Sequence, residues 1–211
     1  MLNLLRWTKT QASPSRREIL VEDAIAWLVT TPDEGAIVTR LPPELLDADV
    51  LTRILVVGRP AVLYVEDLAG PAGLISGPEH VCHMARHMVG VPLVWHAIAR
   101  REVGFAHILG FGEGIKAAAG EVLEDGRQVA PGEPGLGAAR AVVEWAAGHA
   151  QLILDPFAGA GTICAVAEAL EVRAIGVVAT EAAAQQAREL KMLPAKRKRP
   201  RVGARGRLSG W

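Results

Sequence analysis

The sequence predicts a single α/β domain with a largely parallel sheet and helices on both faces. Three observations carry this. Short apolar runs alternate with segments whose apolar residues recur at helical spacing, the pattern of strand–helix–strand units. The chain has 211 residues, 50% of them hydrophobic, enough for one buried core and too many for disorder throughout. Near Asp155 an apolar strand runs into a glycine-bearing loop and then a helix, a junction at which open α/β sheets bind ligands.

Each element has its own signal. Arg17–Val21 is a short β-rich run, and Asp23–Thr30 follows with Ala24, Ile25, Trp27 and Leu28 at helical spacing. Ala36–Thr39 is a second strand, stopped by the Leu41-Pro42-Pro43 turn signal. Leu45–Leu55 suits a helix and Ala61–Val65 a buried strand. His80–Val89 reads as a helix, Leu93–Ile98 and Ala106–Phe111 as strands. Gly110 to Gly137, with repeated Gly and Pro, reads as loop. Gly137–His149 is helical, with Ala141, Val142, Trp145 and Ala146 on one face. Leu152–Leu154, Thr162–Leu170, Ala174–Val178 and Glu181–Leu190 complete a strand, helix, strand, helix series. No repeat at a fixed period is visible.

Composition excludes several classes. Two cysteines, Cys82 and Cys164, do not make a disulfide scaffold. No apolar run reaches the roughly 18 residues of a membrane span; Ile54–Val65 is broken by Arg59 and Pro60. Met1–Arg17 has only a short apolar stretch before Arg6 and no small-residue cleavage site, so a cytoplasmic protein with no membrane partner is expected. The net charge of zero hides an asymmetry. Residues 191–211 hold eight basic groups, from Lys191 to Arg207, and no acid, which leaves residues 1–190 at a net of −8. A Pro-, Gly-, Arg- and Lys-rich tail cannot build a core and is expected to be flexible. Residues 191–207 suit contact with a nucleic-acid backbone; a solubilising terminus is the other reading. A homodimer or a protein partner stays open.

The strongest local signal is Leu152-Ile-Leu-Asp-Pro-Phe-Ala-Gly-Ala-Gly-Thr162. Glycines let a backbone take positive φ and approach a ligand closely. The third glycine of a dinucleotide fingerprint is absent, with Cys164 in its place, and no Lys follows the loop as in a P-loop.

Asp-Pro-Phe-Ala-Gly-Ala-Gly-Thr resembles the S-adenosylmethionine (SAM) loop of DNA amino-methyltransferases, which methylate adenine N6 or cytosine N4. Pro134 through Trp145 resembles the helix that precedes this loop and covers the methionine end. Ala174-Ile-Gly-Val177 resembles the family's second strand, Val21 through Leu28 the segment whose Asp-Ala pair meets the adenine ring, and Ala36–Thr39 the strand leading to the catalytic tetrapeptide. The catalytic half thus comes first and the SAM loop last, as in the permuted members. The resemblance implies a Rossmann-like methyltransferase fold over 1–190, with a catalytic half (17–111), a loop (112–136), a SAM-loop half (137–190) and a basic tail (191–211). It implies SAM as cofactor. Asp155, Phe157, Ala158, Gly159 and Gly161 would surround its amino-acid portion, Thr162 would open the helix, and Asp23 and Ala24 would meet its adenine. A helix amino terminus offers N–H groups to a carboxylate. Asp23 also suits a helix N-cap, a compatible role.

The chain departs from the family pattern twice. The second strand ends in Val178 instead of a ribose-binding carboxylate, with Glu181 three residues on as a candidate to reach back or as a favourable first-turn charge. The catalytic tetrapeptide, a polar residue, Pro-Pro and an aromatic that stacks on the flipped base, is here Leu41-Pro42-Pro43-Glu44. Arg40, Pro42, Pro43 and Glu44 mark the catalytic position, with Glu44 a candidate acceptor for an amine proton. Glu113, Glu121, Glu124, Asp125 and Glu133 in the loop would repel DNA phosphates.

Other clusters carry less. His83 and His87 share a helix face but lack the converging third ligand of a zinc site, so no metal is expected. His96 and His107 suit semi-buried, hydrogen-bonded histidines near the crevice, and Cys164 a small core residue. The function expected is SAM-dependent methyl transfer to an exocyclic amine of DNA or RNA; the alternative is a non-catalytic methyltransferase-fold protein that binds nucleic acid or a partner.

Overall fold

The computed structural model describes residues 16–31, 34–56, 58–66, 77–102 and 104–192. Nearly all of the basic tail and of the amino-terminal segment lie outside the described residues. Among the described residues eight strands form one sheet: β1 (Arg17–Val21), β2 (Ala36–Arg40), β3 (Ala61–Glu66), β4 (Leu93–Arg100), β5 (Phe105–Phe111), β6 (Glu121–Glu124), β7 (Leu152–Asp155) and β8 (Arg173–Val178). Their spatial order is β1-β8-β7-β2-β3-β5-β4-β6. Only the pairings of β5 with β3 and β4 are antiparallel, so seven strands point one way and β5 alone runs against them.

Among the described residues six helices cover the sheet: α1 (Ala24–Thr30), α2 (Ala48–Ile54), α3 (Gly77–Met84), α4 (Leu136–Ala147), α5 (Thr162–Ala169) and α6 (Glu181–Glu189). Side chains alternate across the sheet. Val38, Val62, Ile108 and Ile153 face α4, α5 and α6, whereas Ile37, Leu63, Leu109 and Leu154 face α1, α2 and α3. That two-sided burial explains why the central strands read as continuous apolar runs. Among the described residues no helix is long and apolar enough to cross a membrane.

Most element ends agree with the sequence reading to within two residues, and three regions differ more. Leu45–Leu55 divides into a 3-10 turn, Pro43–Leu45, and α2, whose start is fixed by the Asp47 carboxylate accepting the Val50 N–H at 2.9 Å. The His80–Val89 helix begins earlier, at Gly77, and ends in a π-helical turn, Ala85–Val89, closed by Gly90 at φ 78°. The stretch 112–136 is not all loop: β6 joins the sheet edge beside β4. Its side chains are mostly exposed, so backbone pairing, and not burial, makes it a strand.

Candidate active site

The crevice lies where the strand order reverses. From β7 the chain continues to β8 on one side, while β2 leads to β3 on the other. The carboxyl ends of β7 and β2 therefore define the place where such sheets bind ligands. Asp155 closes β7 and is buried, and Thr39 of β2 donates its hydroxyl to Asp155 Oδ1 at 2.7 Å. Burial pushes the Asp155 carboxyl up to about 8, with the nearby Glu133 charge adding, against the Thr39 hydroxyl and the Phe157 N–H.

The loop beyond Asp155 turns tightly. Ala158 N–H donates to the Val177 carbonyl at 3.0 Å and Gly161 N–H to the Ala158 carbonyl at 2.7 Å. Gly159 and Gly161 sit at φ 51° and 81°, in the left-handed region that side chains disfavour. Gly161 caps α5, and a Cβ there would lie 2.7 Å from Ala187 Cβ. Asp155, Ala158, Gly159, Gly161 and Thr162 are thus brought together, and Phe157, half-buried, packs on the opposite core. Asp23 and Ala24 sit one strand beyond: Val21 pairs with Val178, and the Glu22 N–H reaches the Val178 carbonyl at 3.1 Å. The Asp23 carboxylate caps α1 through Ala26 N–H at 2.8 Å.

The loop holds two residues that the sequence reading misplaced. Glu133 and Asp125 do not face outward as phosphate-repelling acids: they are 9% and 1% exposed. Glu121 and Glu124 do stay exposed. Glu133 Oε1 accepts the Ala160 N–H at 3.2 Å and lies so close over Gly159 that any Cβ there would overlap it. Burial raises the proton affinity of Glu133, opposed by the Ala160 N–H, by Thr162, whose buried hydroxyl lies nearby without a full hydrogen bond, and by the Arg40 charge. An acid directly before Pro134, where the covering segment begins, was the available signal.

At the candidate catalytic corner, Arg40 at the end of β2 pairs with Glu66 at 3.5 Å. Glu66 also receives Arg101 at 3.2 Å, and Arg101 reaches both Asp125 at 3.0 Å and the Tyr64 hydroxyl at 2.9 Å. Tyr64 in turn donates to Asp125 Oδ2 at 2.9 Å. Leu41 is 1% exposed and belongs to the core under α1–α3, so its side chain turns away from the crevice. The Pro42 carbonyl accepts the Leu45 N–H at 2.9 Å inside the 3-10 turn, and Glu44 is exposed. Val178 is buried, and Glu181 pairs with Arg188 of its own helix at 2.6 Å instead of reaching back.

His96 Nε2 and His107 Nδ1 lie 2.9 Å apart across β4 and β5, each half-buried and hydrogen-bonded as expected, with the other as its partner. His83 and His87 stand exposed with ring centroids 4.6 Å apart. Among the described residues no group of three or more His, Cys, Asp or Glu is placed to hold a metal ion. Cys164 is buried, its Sγ against Gly176.

Seven co-directional strands with one antiparallel member, helices on both faces and a glycine loop after the central strand define the Rossmann-like fold of SAM-dependent methyltransferases. No family model matches the chain, and no curated protein does. Solved structures do. TTHA0409 from Thermus thermophilus, a putative DNA modification methylase complexed with SAM, matches with a TM-score of 0.62 at 21% identity over 82% of this chain and 92% of that one. The M1.HpyAVI–SAM complex matches at 0.54 and 14% identity, over 82% and 97% of the two chains. PvuII DNA methyltransferase, cytosine-N4-specific, matches at 0.62 and 13% identity, over 83% and 86%. At these identities what is shared is the fold.

Proposed function

We propose that the chain binds SAM in the crevice between β7 and β2 and transfers its methyl group to an exocyclic amine of DNA. The observation that carries this is the glycine loop: Gly159 and Gly161 at positive φ, beyond a buried Asp155, at the reversal point of the sheet. A zwitterionic amino-acid end calls for an acceptor and for backbone N–H groups at close approach, which the Asp155 carboxyl, neutral in the free protein, and the amino terminus of α5 would supply. When bound, SAM supplies a methyl group on a sulfonium, transferable to a nucleophilic nitrogen. Asp155, Phe157, Ala158, Gly159, Gly161 and Thr162 hold its amino-acid end, and Asp23 and Ala24 flank the adenine.

Arg40, Pro42, Pro43 and Glu44 face the target. The buried Leu41 offers no acceptor, so Glu44, the exposed carboxylate of this turn, takes the amine proton. The basic residues of 191–207 hold the nucleic-acid backbone by charge. SAM bound in TTHA0409 and in M1.HpyAVI, and the likeness to the cytosine-N4-specific DNA methyltransferase PvuII, support the reading.

A second reading has its own observation. Leu41 lies in the core and the Pro42 carbonyl is engaged at 2.9 Å, which favours binding of nucleic acid or of a partner without transfer. Calorimetric titration with SAM and S-adenosylhomocysteine, followed by transfer of labelled methyl to mixed-sequence DNA, separates the two. Micromolar binding with label in DNA is expected. Binding without label at any DNA concentration selects the second reading, and no binding by either ligand defeats the first.

A further inference from the structure

The segment from Arg127 to Leu136 is a small closed turn whose tip presses on the glycine loop. Leu136 N–H donates to the Arg127 carbonyl at 3.0 Å, Glu133 N–H to the Ala130 carbonyl at 3.2 Å, and Gln128 Nε2 to the Glu133 carbonyl at 2.8 Å. Its base is fixed to the core by the Gly135 N–H on Asp125 Oδ1 at 2.8 Å. The turn delivers the Glu133 carboxylate onto Gly159 and the Ala160 N–H, the position from which the loop would meet an incoming carboxylate. On the other side of the same tip stands a cation. A Cβ on Gly132 would lie 3.1 Å from an Arg40 guanidinium nitrogen, and Arg40 Nε is buried without a hydrogen bond although Glu66 lies 3.5 Å away.

We propose that Glu133 is an internal competitor for the cofactor's carboxylate. In the free protein it occupies the glycine loop, and ligand binding requires it to move from the Ala160 N–H toward Arg40. The inference rests on the reading that this loop binds SAM. Geometry makes the competition direct, because Gly159 has no room for both Glu133 and a second group at the same face. Arg40 supplies the compensating partner, and a carboxylate held out of water with one long hydrogen bond is readily exchanged. The arrangement weakens affinity for any ligand carrying the amino-acid end and leaves the adenosine end untouched.

The test is calorimetric titration of the wild type, Glu133→Ala and Glu133→Gln with three probes: SAM, S-adenosylhomocysteine and 5′-methylthioadenosine, which lacks the amino acid. Glu133→Gln keeps the side chain's shape and guards against collapse of the turn. Glu133→Ala is expected to bind S-adenosylhomocysteine about tenfold tighter, the scale of one charge-assisted hydrogen bond, and Glu133→Gln, which keeps the shape and an acceptor but loses the charge, tightens by less. SAM tightens by no more than this, because removing Glu133 also removes a charge that favours its sulfonium. Methylthioadenosine affinity stays the same. Weaker or unchanged S-adenosylhomocysteine binding overturns the proposal, as does an equal shift with all three probes. If no probe binds any of the three proteins while all melt cooperatively, the methyltransferase reading itself fails and this inference with it.

Discussion

The Thr39 hydroxyl donates to Asp155 Oδ1 at 2.7 Å across the junction of β2 and β7, with both side chains sealed from water. It ties the carboxyl end of the strand before the glycine loop to the strand before the candidate catalytic turn. Thr39→Val keeps the shape and removes the donor. Leaving a buried carboxyl short of a partner costs about 1–3 kcal/mol, to be read as a lower urea midpoint with an unchanged slope, and SAM affinity falls with it.

The same carboxyl sets a pH dependence. The folded chain holds the Asp155 proton up to about 8, whereas an unfolded chain releases it near the ordinary 3.8. Folding therefore binds a proton between those values, and this group's contribution to stability is full below the lower one and lost as pH rises through the upper. Asp155→Asn is expected to flatten the fall in unfolding free energy between about pH 4 and 8. An unaltered slope in urea titrations across that range would count against the assignment.

Tyr64 is the one tyrosine of the chain, so the phenolate difference absorbance reports its ionisation alone, over the pH-independent tryptophan background. Burial raises its proton affinity first, and the Asp125 charge raises it further, with Arg101 opposing. The native protein should show no phenolate absorbance until it unfolds in alkali, while in urea the band should rise near pH 10, where a free phenol titrates. Tyr64→Phe should lower the melting temperature, since Arg101 and Asp125 lose their shared hydroxyl.

Gly176 in β8 is required by packing. A Cβ there would lie 2.7 Å from Cys164 Sγ and 2.9 Å from Ala158 Cβ. Gly176→Ala is expected to cost about 1–3 kcal/mol by overpacking and, by displacing Ala158, to loosen the loop. The paired variant Gly176→Ala with Cys164→Ala should recover part of the loss, a non-additivity that a double-mutant cycle measures.

Glu44→Gln tests the candidate catalytic corner. With Glu44 as proton acceptor, methyl transfer falls about 10²-fold or more while SAM affinity holds, because the exposed turn lies outside the glycine loop. Unchanged transfer would move the role to another group.

The sequence exposed most of this fold because its central strands are buried on both faces. Ile37, Val38, Val62, Leu63, Ile153 and Leu154 must all be apolar, and glycine must stand where φ is positive at 159 and 161. What stayed hidden depends on distance in the chain. The Tyr64–Arg101–Asp125 cluster joins residues 61 and 24 positions apart, and no local pattern marks it. Glu133 lies 27 positions from Ala160, and an acid in a Gly/Pro-rich stretch reads as solvated until the fold brings it back. β6 was invisible because strands held by the backbone alone leave no apolar alternation.

The pairing of β1 with β8 sets the order of assembly. Among the described residues, 17–21 find their strand partner in residues 173–178, and the Arg17 guanidinium reaches the Leu190 carbonyl at 2.7 Å, 173 positions away. On the ribosome the first strand emerges early and waits, edge unpaired, until almost the whole domain has been made. Contacts of such long range slow folding and leave a strand open to wrong partners in the interval.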